Sequence, residues 1–137
     1  MNTPRAATLL LVACLCLAFA ACRGGGDERA ARATAQAWLP AIDEGDYVQG
    51  WTAGAPYMQR AITQEQWVAS MHRMRQPLGK VLSRTLTSSQ ATTCALTNPC
   101  VVIQTAAAFE HKPAATETIT VMPAAGGGWQ VAGYYIQ

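Results

Sequence analysis

The chain has 137 residues, half of them apolar and 13% charged, with a formal net charge of +2. That length holds one domain, and the near-neutral balance excludes a strongly basic nucleic-acid binder and an acidic tail protein. Its aromatic and β-branched content excludes a disordered chain, which could not bury enough apolar surface to offset the entropy of ordering.

Residues 1–21 read as a secretory signal peptide. Arg5 supplies the positive n-region, and residues 9–21 form an unbroken apolar run of thirteen. A membrane-spanning helix needs about 20 such residues, so the run is too short to span and fits a signal-peptide core. Two cleavage geometries compete. Ala18-Phe19-Ala20 fits the small-x-small rule of ordinary signal peptidase and would start the chain at Ala21. Phe19-Ala20-Ala21-Cys22 resembles the lipobox of bacterial lipoproteins, whose cysteine becomes acylated, with Phe19 where Leu is usual. Cysteine arithmetic favours the second. Cys14 and Cys16 leave with the leader, and Cys22, Cys94 and Cys100 would leave an odd thiol unless Cys22 is acylated. The expectation is a periplasm-facing lipoprotein with palmitate-type acylation at Cys22, in the inner or the outer membrane. Residues 22–29, with Gly24-Gly25-Gly26, then form a short flexible tether.

Residues 30–137 make a single domain with a helical first half. Ala31, Ala35, Trp38 and Ile42 repeat at helical intervals over residues 28–44, with Pro40 as an internal break signal. Gly45 suits a C-terminal cap and Asp46 the N-cap of a following segment carrying Tyr47, Val48 and Trp51. Residues 57–62 add a short helical turn. Thr63-Gln64-Glu65-Gln66 is a capping box, opening a helix with Trp67, Met71 and Met74 on one face that ends before Pro77. From Lys80 the period changes to two. Strands are predicted over residues 81–91, 101–109, 116–122 and 129–136, with a loop at His111-Lys112-Pro113 and a turn at Gly126-Gly127-Gly128. Three helical segments followed by four strands predict an α+β domain, with helices packed on a curved four-stranded antiparallel sheet.

Cys94 and Cys100 flank a turn-forming Asn98-Pro99 between strand-like segments. In an oxidising compartment they are expected to close a disulfide at a hairpin loop, worth about 2 kcal/mol in chain entropy. The rival readings are a redox pair and a zinc site with His111 as third ligand. Neither has Cys-x-x-Cys spacing, and a fourth zinc ligand is missing.

Several segments together carry a resemblance. Trp38-Leu39-x-x-Ile42-Asp43-x-Gly45-x-Tyr47, Trp51, Gln66-Trp67, Arg75-x-Pro77-Leu78-Gly79, Arg84 and Trp129-x-Val131-Ala132-Gly133-Tyr134 are similar to the bacterial family called domain of unknown function 4019. The match runs from about Ala33 to the C-terminus. It implies export and a cone-shaped, nuclear transport factor two-like or cystatin-like fold, and brings no activity with it. Folds of that type host isomerases and dehydratases as well as non-catalytic modules.

An enzyme of the isomerase kind needs a buried carboxylate or histidine as base and donors for a developing oxyanion. Strict alternation puts Glu117 on the face of Ile119 and Val121, either in the pocket or at the sheet margin. Arg75 or Arg84 is its expected partner, because an unpaired buried charge is costly. Asp43, Glu44 and Asp46 cluster at a helix junction, where capping is the favoured role. His72 and His111 read as surface residues. Trp38, Trp51, Trp67 and Trp129 read first as core. Trp38, Trp51, Trp67, Arg75, Arg84, Glu117 and Tyr134 are the candidate pocket residues.

No cofactor fingerprint, Ser-His-Asp order or metal-ligand spacing emerges from the sequence. The reading is a non-catalytic binding or protein-interaction module of the cell envelope. Its expected partners are the membrane through its lipid, an envelope protein or small ligand, and a second copy if it dimerises; nucleic acid is not among them. The alternative is an isomerase or dehydratase using the cone pocket, with Glu117 or an acid of the Asp43 cluster as base and Arg75 as electrophile.

Overall fold

A computed structural model describes residues 23–95 and 98–137. The signal peptide, Cys22 and residues 96–97 of the hairpin loop lie outside the described residues. Among those described, no helix is long and apolar enough to cross a membrane.

Four helices precede four strands: α1 (Arg23–Asp43), α2 (Tyr47–Thr52), α3 (Pro56–Ala61) and α4 (Gln64–Met74), then β1 (Val81–Cys94), β2 (Asn98–Phe109), β3 (Lys112–Pro123) and β4 (Trp129–Ile136). The three predicted helical segments are thus four, because the turn expected at residues 57–62 is a helix of its own, Pro56–Ala61, with Pro56 in its first turn. The strands form one antiparallel sheet in the order β1-β2-β3-β4. Helices on one face of an antiparallel sheet give the predicted α+β class.

The helix ends follow their local chemistry. Beyond α1, Gly45 sits at φ +80, and the Gly45 and Asp46 amides donate back to the Ile42 and Ala41 carbonyls. This is the Schellman stop that a left-handed glycine permits. Asp46 then caps α2 by accepting from the Gln49 amide. Thr63 and Gln66 form the predicted reciprocal capping box of α4. Pro40 does not end α1: Pro40 and Gln36, whose carbonyl loses its partner, both lie on the exposed side. α1 also begins at Arg23, so residues 24–26 are helical where the glycines suggest a tether. Each glycine opposes helix by about 1 kcal/mol, and the Ala-rich run that follows is the element they extend.

The sheet face under the helices holds the core. Val101, Ile103, Phe109, Ile119, Val121 and Val131 meet Ala31, Ala35, Trp38, Leu39, Ile42 and Met71 there. β3 keeps the expected alternation, with Glu117, Ile119 and Val121 all buried. The predicted loop at residues 111–113 is shorter, since β3 already begins at Lys112.

Register shifts in β1 and β4 redirect side chains. Between Val81 and Ser83 the extra residue Leu82 lets Val81 and Arg84 oppose the inward Phe109 and Ala107. Arg84 therefore parts company with Leu82, which regular alternation would place on its face and which is left 66% exposed. In β4 the shift at Ala132 lets both Val131 and Tyr134 face the helices. Bulges commonly re-aim side chains in this way.

Cys94 and Cys100 form the expected disulfide, with Cα atoms 5.8 Å apart. Cys100 packs with Ala55, Met122 and Ala132 in a second small cluster. At the open edge of β1, the Ala91 amide donates 3.2 Å to the Glu28 carboxylate of α1.

Candidate functional site

Glu117 is fully buried near the centre of the sheet face. Four donors surround its carboxylate. Arg84 reaches both oxygens, through Nε to Oε2 and through Nη2 to Oε1 at 2.9 Å. Tyr134 Oη donates to Oε1 at 2.6 Å and Thr105 Oγ1 to Oε2 at 3.1 Å. A carboxylate offers about four lone-pair sites, so each is taken. The planar fork of arginine suits this two-point contact.

The chain of charges continues through α1. Arg84 Nη1 and Nη2 donate to the two Asp43 oxygens, each at 3.0 Å. Asp43 Oδ1 also accepts from Arg75 Nη2 at 3.2 Å. Arg75 lies over the Phe109 ring, 4.6 Å from its centroid, and donates to the Gly79 carbonyl at 2.6 Å. Two acids and two arginines thus alternate as Glu117–Arg84–Asp43–Arg75, with no net charge. The structure brings together four of the seven candidate residues: Glu117, Arg84, Arg75 and Tyr134. Asp43 joins them in a role that its place at a helix end does not announce.

Burial alone would lower the Arg84 pKa, but the hydrogen bonds and charges of Glu117 and Asp43 outweigh it and raise it. The Tyr134 phenol is also raised, first by burial and then by the adjacent Glu117, with Arg75 and Arg84 acting in the opposite sense. Both groups keep their ordinary protonation at neutral pH.

Trp38, Trp51 and Trp67 stand apart from these charges, and their indole N–H groups donate to backbone. Trp38 donates to the Gly50 carbonyl at 2.8 Å, Trp51 to Ile62 at 3.0 Å and Trp67 to Tyr47 at 2.9 Å. Each links its own helix to another helical segment while its ring packs in or against the core. Trp38 meets the network through its edge contact with the Tyr134 ring, 5.5 Å between centroids. His72 and His111 are exposed, as expected; His72 packs edge-on to Tyr47.

The space between α1 and the sheet is nearly filled. What remains beside Arg84 is a cavity of about 100 Å³ lined by Leu39, Leu86, Ile103 and Thr105. A larger hollow, about 540 Å³, lies elsewhere. It includes Ser83, Thr85, Ala106 and Ala108 and has no ionisable side chain in its wall. A third cavity, about 400 Å³, opens where the end of α1 meets the turn before β1, and includes Asp43, Tyr47, Arg75 and Lys80. Gly79 shapes this cavity. Its φ is +76, and a Cβ there would sit 2.6 Å from Glu110 Oε2, which accepts from the Lys80 amide. Among the described residues no group of three or more His, Cys, Asp or Glu side chains could hold a metal ion.

The sequence model of the family described as "Protein of unknown function (DUF4019)" matches residues 34–134. The chain belongs to that family. No curated protein matches it. Among solved structures it is similar to a protein from Catenulispora acidiphila determined at 2.5 Å, at 12% identity and a TM-score of 0.55. That alignment covers 82% of this chain and 91% of the other. At this identity the likeness speaks for the fold alone. The matched segment includes Asp43, Arg75, Arg84, Glu117 and Tyr134, so the whole network lies within the family domain.

Proposed function

We propose that the protein is a non-catalytic binding or interaction module of the cell envelope, held at the membrane by acylated Cys22. The observation that carries the non-catalytic reading is the saturation of Glu117. A general base needs a lone pair directed at substrate, and all four sites of this carboxylate face Arg84, Tyr134 and Thr105. Glu117 is also the one buried carboxylate among the described residues. The isomerase or dehydratase alternative therefore loses its best base. Arg75, its electrophile, is committed to Asp43 and Gly79.

The envelope address rests on the leader and the lipobox-like Phe19-Ala20-Ala21-Cys22. The Cys94–Cys100 disulfide supports it, since Cys22 then becomes the single cysteine left over after the leader. The test is metabolic labelling with an alkynyl palmitate analogue, followed by membrane fractionation. Wild type is expected to carry label and to sediment with membranes, and Cys22→Ala to do neither. An unlabelled wild type, or label surviving the substitution, overturns the anchor. In intact cells, crosslinking of the wild type followed by mass spectrometry then identifies its neighbours.

A further inference from the structure

The direction of α1 fixes which end of the domain adjoins its start. Glu28 meets Ala91 and Asp43 meets Arg84, so α1 runs antiparallel to β1. From Glu28 to Asp43 the helix rises about 22 Å, and from Ala91 to Arg84 the strand spans about 23 Å. Beyond these contacts α1 reaches back to Arg23, a further ~8 Å, and β1 runs on to Cys94, a further ~10 Å. Cys94 lies opposite Asn98, Val101 opposite Val121, and Pro123 opposite Trp129. The start of α1, the β1–β2 hairpin and the β3–β4 turn therefore share one end of the domain. The end of α1, Lys80 and Glu110 share the other.

The two ends differ in chemistry. At the hairpin end, residues 95–102 and 122–133 contain no charged side chain. A groove of about 330 Å³ there is lined by Pro56, Tyr57, Arg60, Asn98, Pro123 and Ala125 among others, and Arg60 is its one charge. Arg60 is exposed and forms no ion pair among the described residues. Tyr57 is 41% exposed, and Pro56, Pro123 and Ala125 are exposed beside it. In the first turns of α1, Asp27 and Arg29 offset each other. The far end instead gathers Glu44, Lys80 and Glu110. An acid-free face with one arginine and one tyrosine suits a phospholipid headgroup layer, since arginine pairs with phosphate and tyrosine joins an apolar body to a polar tip. Cys22 immediately precedes Arg23, the first residue of α1, so acyl chains on it enter the bilayer at this same end with no spacer before the helix. We propose that this end of the domain rests on the phospholipid surface, with a headgroup phosphate seated in the groove against Arg60 and Tyr57. The charged end then stands about 30 Å away, the length of α1, and faces away from the membrane. The proposal rests on the acylation of Cys22 proposed above and adds a fixed orientation to it.

The test uses the full-length acylated protein, its lipid verified by intact mass, in vesicles of phosphatidylglycerol and phosphatidylethanolamine. An environment-sensitive fluorophore is attached at Ala125→Cys or at Glu44→Cys, one exposed position at each end, with the Cys94–Cys100 disulfide left closed. Lipids spin-labelled at the headgroup are expected to quench most of the emission at position 125 and to leave that at position 44 unchanged. Arg60→Glu should lower the quenching at position 125 at least about twofold, because a phosphate-pairing cation near the surface becomes an anion. The anchored fraction should stay the same, since the acyl chains carry it. Equal quenching at the two positions, stronger quenching at position 44, or undiminished quenching at position 125 in the folded Arg60→Glu variant overturns the orientation. An unacylated chain, seen by mass before reconstitution, overturns the anchor and this proposal with it, so the two failures are told apart.

Discussion

The two sides of Asp43 make opposite use of the same side-chain types. Toward the sheet, Glu117, Arg84 and Tyr134 have every strong hydrogen-bonding site of the carboxylate occupied. Toward solvent, Glu44, Lys80 and Glu110 line a cavity, and their side chains form no ion pair among the described residues. The difference teaches how to read a charged cluster in a protein with no known activity. Saturated charges hold elements together, because removing any one leaves a partner buried and uncompensated. Unsaturated ones cost the fold little.

The largest expected effect breaks the inner side. Arg84→Met should cost about 3–5 kcal/mol, because Glu117 is then buried without its cation. Urea unfolding measures it, and a loss below about 1 kcal/mol, the size expected of a surface pair, would erase the contrast. Gly79→Ala acts at the boundary of the two sides and should cost up to about 3 kcal/mol, from backbone strain at positive φ. It should also displace Glu110 from the Lys80 amide. Thermal unfolding gives the cost.

Tyr134 sharpens the comparison through pH. Its folded pKa is raised, so its contribution is fully present below the unfolded value of about 10. It is lost as pH rises beyond that point, at up to about 1.4 kcal/mol per pH unit. Urea midpoints between pH 9 and pH 11.5 should therefore fall more steeply for wild type than for Tyr134→Phe. Parallel slopes would show that the phenol is not held neutral by the fold. The smallest effect belongs to the outer side. Glu44→Gln should move stability by no more than about 0.5 kcal/mol, and a larger loss by thermal unfolding would place Glu44 in the structural set.

The sequence shows the inner side in part. Strict alternation in β3 puts Glu117 inside, and the cost of an unpaired charge points to Arg75 or Arg84 as its partner. Only Arg84 reaches it, because a bulge at Leu82, silent in the sequence, turns Arg84 inward. Asp43 reads as a helix-end residue, since capping is a local signal while its arginines lie 32 and 41 residues away. Charge balance offered a route to it: two inward arginines and one buried glutamate require a second acid. The helix caps at Gly45, Asp46 and Thr63 were legible because each depends on neighbours within a few residues. The pocket at the end of α1 was not, since α1, α2 and the turn before β1 must first be packed together.

The bond from the Ala91 amide to Glu28 has a consequence for solubility. From Leu86 to Cys94, β1 is an outer strand without a single charged residue or proline, the composition that invites strand-to-strand aggregation. Glu28 occupies one of its outward amides and brings a negative charge to the run. The first turns of α1 therefore act as a gatekeeper as well as a lid on the core. Glu28→Ala should leave the melting temperature nearly unchanged and still raise light scattering on storage, a failure of the colloid with the fold intact.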